Sequence, residues 1–392
     1  MTLTRAIHAT PRAYLVAERP DEPVLFLSPE TLQASAQGFR DGFPGLVTYA
    51  VKANPSEAVL GNLLAAGITA FDVASPAEIA LVRARAPQAA LHYNNPVRSR
   101  AEIAMAAAHG VASYSVDDPG ELRKLAEAVP QGREIAVRFK LPVAGATYDF
   151  GEKFGTSPEI AADLLAEVVR LGYRPALTFH PGTQCTDPAA WVSYIHAARA
   201  IAQGAGVTLD RLNVGGGFPA RRMAGAAPPL DAIFDAIAHA TRAAFGAHAP
   251  ALVCEPGRAM VAEAVSLALR VKALKGADQV YLNDGIYGAL AEQPIMGMTD
   301  RLRVIAPDGS LRQGAPMLRL LWGPTCDSLD RIPGAVPLPA DMQDGDYIVL
   351  DGMGAYSTAT VTRFNGYGGL TLATVRDLAD PAPATGHCRP CA

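Results

Sequence analysis

The sequence predicts an α/β protein in which a (β/α)8 barrel is followed by an all-β domain, sandwich- or barrel-like. Short apolar runs alternate with Ala-, Leu- and Glu-rich stretches of helical spacing, such as residues 76–85 and 157–170. Eight such runs favour a closed barrel over a doubly wound open sheet. The predicted barrel strands are residues 46–51, 69–73, 90–93, 112–116, 134–139, 176–179, 211–214 and 251–254.

After residue 262 the helical pattern largely disappears, and turn signals such as Asp308-Gly309 and Asp344-Gly345 separate short apolar runs. We therefore expect a barrel over residues 31–262, and a β domain over 263–392 that residues 1–30 complete. The predicted strands of this second domain are residues 13–16, 24–27, 265–273, 279–283, 318–322, 347–351 and 355–363.

Composition narrows the class of protein. The formal net charge of -4 gives no reason to expect nucleic acid or an anionic membrane as a partner. Hydrophobic residues make up 49% of the chain and charged residues 18%, which favours a large core and a subunit interface. Five scattered cysteines argue against a disulfide framework, and the absence of a long apolar run predicts a soluble, cytoplasmic protein.

Polar side chains stand at the ends of the predicted barrel strands. Each has an ordinary explanation as a helix cap or a turn residue. In a barrel of this kind, however, all the strand ends converge on one mouth, where chemistry collects. These residues are Lys52, Asp72, Ser75, Asn94, Asn95, Ser115, Asp117, Arg138, His180, Thr183, Glu255 and Arg258.

Lys52 follows the apolar run 46–51, where a solvated lysine would be out of place. A desolvated amine can lose its proton and form a Schiff base with a carbonyl cofactor. The alternative is a lysine at a strand end with its ammonium group in water. Lys52 alone does not decide between the two, and the rest of the chain has to.

The glycines Gly215, Gly216 and Gly217 follow the seventh strand, at the place where barrels often bind phosphate. Arg258 is placed to add a bidentate phosphate contact. Glu255 is suited to hold a pyridine nitrogen protonated, and His180 to stack on the ring. Together with Lys52, these groups indicate pyridoxal phosphate as the cofactor.

The chain resembles the fold-type III pyridoxal phosphate-dependent decarboxylases, the ornithine/diaminopimelate/arginine decarboxylase family. The resemblance covers nearly the whole chain. The motifs that carry it are AVKANP at 50–55, FDVAS at 71–75, HPGT at 180–183, GGGFP at 215–219, EPGR at 255–258, WGPTCD at 322–327, GAY at 354–356 and FNG at 364–366.

The resemblance implies a role for each matched position in the barrel. Lys52 carries the cofactor, His180 stacks on it and Glu255 holds its ring nitrogen. Asp72 and Arg138 lie near the cofactor and its lysine. The implied phosphate-binding residues are Thr183, Gly215, Gly216, Gly217, Gly257, Arg258 and Tyr356.

The resemblance also implies a homodimer with shared active sites. Cys326 of one subunit would protonate Cα after carbon dioxide leaves, and Asp327 would pair with the distal ammonium group of the substrate. Tyr287 and Phe364 would complete the substrate site. The implied reaction is decarboxylation of a basic L-amino acid, with conversion of ornithine to putrescine, a polyamine precursor, as first choice.

Several alternatives stay open. Met296 occupies a position where ornithine enzymes often have a second acid, so lysine or another diamino acid, including meso-diaminopimelate, is a close second. An amino-acid racemase is disfavoured because racemases typically place Arg where Glu255 stands. A non-catalytic regulator should lack Lys52 or Cys326, and both are present.

Two further segments attract weaker predictions. Residues 142–155 are rich in Gly and polar residues, and we expect a loop that closes over the site. Cys388 and Cys391 form a Cys-x-x-Cys pair in a tail, 381–392, expected to be disordered. A metal or redox site is the alternative, but only one such pair exists and it lies in this tail, so we favour no role for it.

Overall fold

The computed structural model describes residues 7–142, 146–147, 152–225 and 227–379. These residues form two compact units. One comprises Thr31–Glu263 and Gly354–Ala359, and the other comprises the described parts of Met1–Glu30, Ala264–Met353 and Thr360–Ala392. The first is a barrel and the second is built mainly on a sheet.

The strands, in chain order, are Val24–Leu27 (β1), Leu46–Val47 (β2), Tyr49–Ala50 (β3), Ala70–Val73 (β4), Ala90–Tyr93 (β5), Ser113–Val116 (β6), Glu134–Arg138 (β7), Arg174–Thr178 (β8), Arg211–Asn213 (β9), Ala251–Cys254 (β10), Val265–Lys275 (β11), Gln279–Leu282 (β12), Leu302–Ile305 (β13), Pro316–Trp322 (β14), Val336–Pro339 (β15), Tyr347–Leu350 (β16) and Thr371–Thr374 (β17).

The α-helices are Pro11–Glu18 (α1), Pro29–Gly42 (α2), Glu57–Ala65 (α3), Pro76–Arg85 (α4), Arg100–Ala108 (α5), Pro119–Ala126 (α6), Pro158–Arg170 (α7), Pro188–Gly204 (α8), Leu230–Phe245 (α9), Arg258–Val261 (α10) and Gln293–Met296 (α11). Short 3₁₀ turns occur at Val51–Ala53, Gly246–His248, Ala262–Ala264 and Phe364–Gly366.

The parallel barrel closes through its first strand, which is split in two at Thr48. The half β2 pairs with β10, and the half β3 pairs with β4. The remaining neighbours follow chain order from β4 to β10. With β2 and β3 counted as one split strand, eight strands therefore form a ring, and the prediction of a (β/α)8 barrel is confirmed. The register places Ala50 beside Asp72, which brings the ends of these two strands together.

Local sequence explains where the barrel helices begin. Ser75 and Ser157 cap α4 and α7 by accepting hydrogen bonds from backbone N–H groups, and a proline occupies the first turn of each helix. Both helices occur where helical spacing predicted them. Val73 and Ile79 are fully buried, as expected when a strand is covered by the helix that follows it.

The second unit contains a mostly antiparallel sheet in the order β13-β16-β11-β12-β14-β15, with β1 joined to β11 and β17. Pairing of β1 with β11 is antiparallel, whereas pairing with β17 is parallel. The segment around Val24 therefore belongs to this sheet, as the sequence predicted. Its core includes Phe26, Ile305 and Val349, each less than 1% exposed.

Two predicted strands are wrong. Residues 13–16 lie in α1, because Pro11 starts a helix that Thr10 caps through a 3.2 Å hydrogen bond from Ala13 N. Residues 355–363 form bends and turns, because Tyr356 has a positive φ of 60°, which interrupts extended backbone.

Within the described ranges, the helices are all too short or too polar to cross a bilayer. Cys388 and Cys391 lie outside the described residues, as does part of the predicted loop 142–155.

Candidate active site

Lys52 lies in the 3₁₀ turn that directly follows β3, at the carboxyl end of the first barrel strand. Its Nζ is 3.9 Å from Asp72 Oδ2. The Asp72 side chain is 3% exposed, whereas 49% of the Lys52 side chain remains accessible. The amine is thus open to a small molecule while its partner carboxylate is buried.

The pKa of Lys52 is subject to opposing effects. Burial lowers the pKa of this amine, but the carboxylate of Asp72, with Tyr356 and Glu255 behind it, outweighs burial and raises it above the ordinary value. Lys52 is therefore protonated in the cofactor-free protein. The surrounding acids, rather than burial, therefore set the direction of the Lys52 pKa shift.

Glu255, just after β10, is a buried carboxylate held by two amides. Asn94 Nδ2 donates to its Oε1 at 2.5 Å, and Asn213 Nδ2 donates to the same oxygen. Burial, followed by the nearby charge of Asp72, raises the pKa of Glu255 to about 8. This carboxyl can therefore take up or release a proton near neutral pH.

His180 follows β8 and is fixed as a neutral ring. Gly182 N donates to its Nδ1 at 3.0 Å, so the ring proton resides on Nε2. Burial and the charges of Arg138 and Lys52 lower the pKa of His180 well below its ordinary range. A neutral imidazole can pack against an aromatic ring without adding charge to it.

The glycine loop brings three backbones together. Gly215 and Gly217 have positive φ values of 69° and 81°. A Cβ at Gly216 would lie 2.7 Å from the Glu255 carbonyl oxygen and 3.3 Å from His180 Nε2. Glycine is therefore required for this loop to pass so close to His180 and Glu255.

Arg138 ends β7, and its guanidinium lies over the Phe154 ring at 5.3 Å from the centroid. Burial lowers its pKa, although Glu255, Asp117 and Asp72 counteract that effect. Arg138 therefore interacts electrostatically with Asp72 and Glu255, the same acids that raise the pKa of Lys52.

Arg258 begins α10 and packs over the Tyr356 ring at 4.8 Å from its centroid. Tyr356 N donates to Ala53 O at 2.7 Å, which ties Tyr356 to the turn that carries Lys52. Thr183, three residues after His180, is half-buried. A Cβ at Gly257 would lie 3.0 Å from Ala53 Cβ and 3.2 Å from Ala50 Cβ, so Gly257 packs closely against this turn. Tyr356, Arg258 and Gly257 therefore lie beside the turn that carries Lys52.

The other predicted residues lie in the second unit. Tyr287 OH donates to Asp327 Oδ2, and Leu329 N donates to Asp327 Oδ1 at 2.9 Å. The rings of Tyr287 and Phe364 are 4.9 Å apart. Cys326 is exposed, and Asn365 Oδ1 accepts from its backbone N at 3.1 Å. This second group brings Cys326, Asp327, Tyr287 and Phe364 together.

Sequence reasoning missed the roles of Asn94 and Asn213. Asn94 stands at a strand end that the sequence marks as polar, yet nothing in the motif says that it contacts Glu255. Asn213 is the last residue of β9, and a polar residue at the end of an apolar run is the available signal. Glu78 was also missed. Its Oε2 accepts a hydrogen bond from Ala74 N at 2.7 Å. Burial is the main cause that raises the pKa of Glu78, and the charge of Asp72 raises it further.

Comparisons with known proteins agree with this arrangement. Residues 30–262 match the family model described as pyridoxal-dependent decarboxylase, pyridoxal binding domain. The chain belongs to the pyridoxal-dependent decarboxylases. The resemblance read from the sequence is thereby confirmed, and the cofactor is pyridoxal phosphate.

The relatives of this decarboxylase include ornithine decarboxylase of Mus musculus, which is 32% identical over 353 residues, covering 81% of this chain and 73% of that protein. Lysine/ornithine decarboxylase of Selenomonas ruminantium is 32% identical over 90% of this chain and 89% of its own length. The structure of Vibrio vulnificus lysine/ornithine decarboxylase with cadaverine superimposes with a TM-score of 0.77 at 29% identity, covering 91% of this chain and 95% of that one.

The residues at the barrel mouth fit pyridoxal phosphate. An accessible amine at Lys52, a buried acid at Glu255 and a neutral ring at His180 match its aldehyde, ring nitrogen and ring face.

Proposed function

We propose that the protein decarboxylates L-ornithine to putrescine, with lysine or another diamino acid as the alternative substrate. Asp327 carries this proposal. Its hydrogen bond from Leu329 N, together with that from Tyr287, lowers the pKa of the carboxyl, so it is ionised at neutral pH. A fixed carboxylate beside two aromatic rings is complementary to the distal ammonium group of a diamino acid.

The names of the relatives support both substrates. One is an ornithine decarboxylase, and another is a lysine/ornithine decarboxylase. Met296, which replaces an expected acid, lies in α11 with Glu292 at its N-cap. Asp327 therefore supplies the main charge that recognises the substrate in this proposal. Selection between ornithine and lysine then depends on the length of the substrate side chain.

In the proposed mechanism, bound pyridoxal phosphate supplies an aldehyde that couples to amines and a ring that accepts electrons from Cα. Lys52 would hold the cofactor before substrate binds, and would bind it again after product leaves. Glu255 holds a proton at the ring nitrogen, and His180 packs on the ring face. Gly215–Gly217, Thr183, Gly257, Arg258 and Tyr356 bind the phosphate, while Asp72 and Arg138 balance the charge of Lys52.

Cys326 supplies the proton that completes decarboxylation. The bond between Cα and the carboxylate breaks, carbon dioxide leaves, and the Cys326 thiol gives its proton to Cα and regains one from solvent. We propose that this thiol comes from the second subunit of a homodimer. The exposed apolar side chains of Leu329 (70%) and Phe364 (41%), which flank the Cys326-Asp327 pair, support a partner there.

The same proposal places the enzyme in polyamine synthesis. The cytoplasmic location stays a prediction from sequence.

The test is carbon dioxide release from ornithine, lysine, arginine and meso-diaminopimelate with added cofactor. We expect the highest kcat/KM with ornithine, and Asp327→Asn to lower that value roughly 100-fold because a neutral amide cannot pair with the ammonium group. Asp41→Asn, at an exposed acid in α2, serves as the matched control. A higher kcat/KM with lysine than with ornithine would make lysine the preferred substrate. No carbon dioxide release from any of the four amino acids would overturn the proposal.

A further inference from the structure

Asn94, the residue that follows β5, donates its side-chain amide to the Glu255 carboxylate at 2.5 Å. Burial raises the pKa of the nearby Asp72, the partner of Lys52, and Lys52 and the Asn94 side chain counteract that rise. Asp72 is 3% exposed, Glu255 8% and Asn94 9%, so water reaches little of these three side chains. A carboxamide donates hydrogen bonds without adding a charge to a buried site.

We propose that Asn94 is a positioning residue that holds the Glu255 carboxylate in place, so that this carboxylate faces the ring nitrogen of the cofactor. The inference rests on the proposed role of Glu255, and it holds whichever amino acid is the substrate.

The charges around Glu255 explain why such a residue is needed. Asp72 is a like charge that opposes ionisation of Glu255, whereas Lys52 and Arg138 favour it. Burial opposes the Glu255 anion as well. A neutral amide that donates to Glu255 favours the anion and fixes the direction of the carboxylate without adding a charge.

The backbone of Asn94 is fixed from both sides, which makes its amide a reliable support. Asn94 N donates to Val73 O on β4 at 3.3 Å, and Ser115 Oγ on β6 donates to Asn94 O at 2.7 Å. The buried Arg98 guanidinium in turn donates to Ser115 O at 2.5 Å. The side chain therefore extends from a strand end that has little freedom to shift.

Asn213 supports the same carboxylate independently. It donates to Glu255 Oε1 and accepts from Gly215 N at 2.9 Å, linking this acid to the glycine loop. Removal of Asn94 should thus weaken the placement of Glu255 without releasing it completely. Asn95 offers a matched control, because its amide donates to Ala74 O at 3.3 Å and its Oδ1 accepts from Val97 N.

The experiment is a pH titration of the full-length protein carrying ¹³C at its glutamate carboxyl groups, with Glu255→Gln identifying the Glu255 signal. Loss of one donor to the anion raises the midpoint of that signal by about one pH unit in Asn94→Ala, and by more in the isosteric Asn94→Asp, which adds an acid. Asn95→Ala keeps the parent midpoint. Equilibrium binding of pyridoxal phosphate, measured on the same proteins, weakens about tenfold in Asn94→Ala alone.

An unchanged midpoint in both Asn94 variants overturns the inference, as does an equal shift in Asn95→Ala. Failure of the proposed role of Glu255 is seen separately. In that case Glu255→Gln binds the cofactor and releases carbon dioxide like the parent, and the inference falls with it.

Discussion

Lys52 shows how a single residue depends on the balance of opposing forces. Burial alone would favour the neutral amine, but Asp72 at 3.9 Å reverses the outcome and raises the pKa. The resting protein therefore presents a protonated amine, which must lose its proton before it can attack an aldehyde. In the absence of cofactor, Asp72 stabilises the Lys52 ammonium group and so opposes the loss of its proton.

The Asp72→Asn variant tests this balance. Removal of the carboxylate leaves burial as the dominant influence and lowers the pKa of Lys52, so more of the amine is neutral at pH 7. We expect cofactor uptake by the cofactor-free protein, followed by visible absorbance, to become about tenfold faster at pH 7 and to depend less on pH. Asp41→Asn, on the surface, should behave like the parent, whose rate rises with pH. Slower uptake with the parent's pH dependence would contradict the proposed balance.

Residue types at the barrel mouth were predictable, but their contacts were not. Lys52, His180 and Glu255 follow strands in an order that carries the family motif. The convergence of Asn94 and Asn213 on one oxygen of Glu255 depends on which way each side chain turns at the end of its strand. The spacing of strands along the sequence predicts that the ends carrying Asn94, Asn213 and Glu255 meet. Their hydrogen bonds follow only from the packing of the barrel.

At the scale of elements, the glycine loop after β9 is the feature most sensitive to substitution. Gly216→Ala would place a Cβ 2.7 Å from Glu255 O, a backbone atom that cannot move away easily. We expect the loop to shift and the equilibrium affinity for pyridoxal phosphate to fall at least about tenfold. In Gly204→Ala the added Cβ would meet only Ala162 at 3.8 Å, so its affinity should be unchanged. Equal affinities in both variants would count against a tight loop.

A second element-scale feature is the turn after β12, where Asp284 is buried beside Asp330. Burial is the main cause that raises the pKa of Asp284 from 3.8 to about 6. Because the folded-state pKa is the higher one, its contribution to stability is complete below pH 4 and is lost as the pH rises through about 6. Asp284→Asn removes this loss while keeping an oxygen that accepts from Ala289 N.

We therefore expect Asp284→Asn to raise the free energy of unfolding at pH 8 by at most about 3 kcal/mol, with no gain near pH 4. Urea unfolding at several pH values measures the difference, with exposed Asp300→Asn as the control. A gain that is the same at pH 4 and pH 8 would show that the charge of Asp284 is not the cause.

The elements themselves were predictable where burial dominates. A barrel strand such as Ala251–Cys254, whose last three residues are buried, reads as a continuous apolar run. Val336–Pro339 was not predicted, because two prolines mask a strand that pairs only with β14. Residues 13–16 were misread because four apolar residues fit a strand or a helix equally well, and the cap at Thr10 decided for the helix.

At the scale of the whole molecule, the proposal of shared active sites makes a quantitative prediction. Mixed homodimers of Lys52→Ala and Cys326→Ala, each inactive alone, should exchange subunits and recover about a quarter of the parent activity, because half the dimers then hold one intact site of two. Recovery is measured as carbon dioxide release after mixing. Mixing Lys52→Ala with a Lys52→Ala, Cys326→Ala double variant is the control that should stay inactive. No recovery, despite proven subunit exchange, would mean that Lys52 and Cys326 act within one chain.

The central claim is that the lysine at the end of the first barrel strand carries the cofactor. Borohydride reduction of the cofactor-loaded protein, followed by protease digestion and mass spectrometry, tests it directly, because reduction fixes the cofactor to the amine that holds it. The account predicts that the pyridoxyl group is found on the peptide containing Lys52 and that Lys52→Ala yields no labelled peptide. Labelling at any of the other five lysines, or equal labelling of Lys52→Ala, would contradict it.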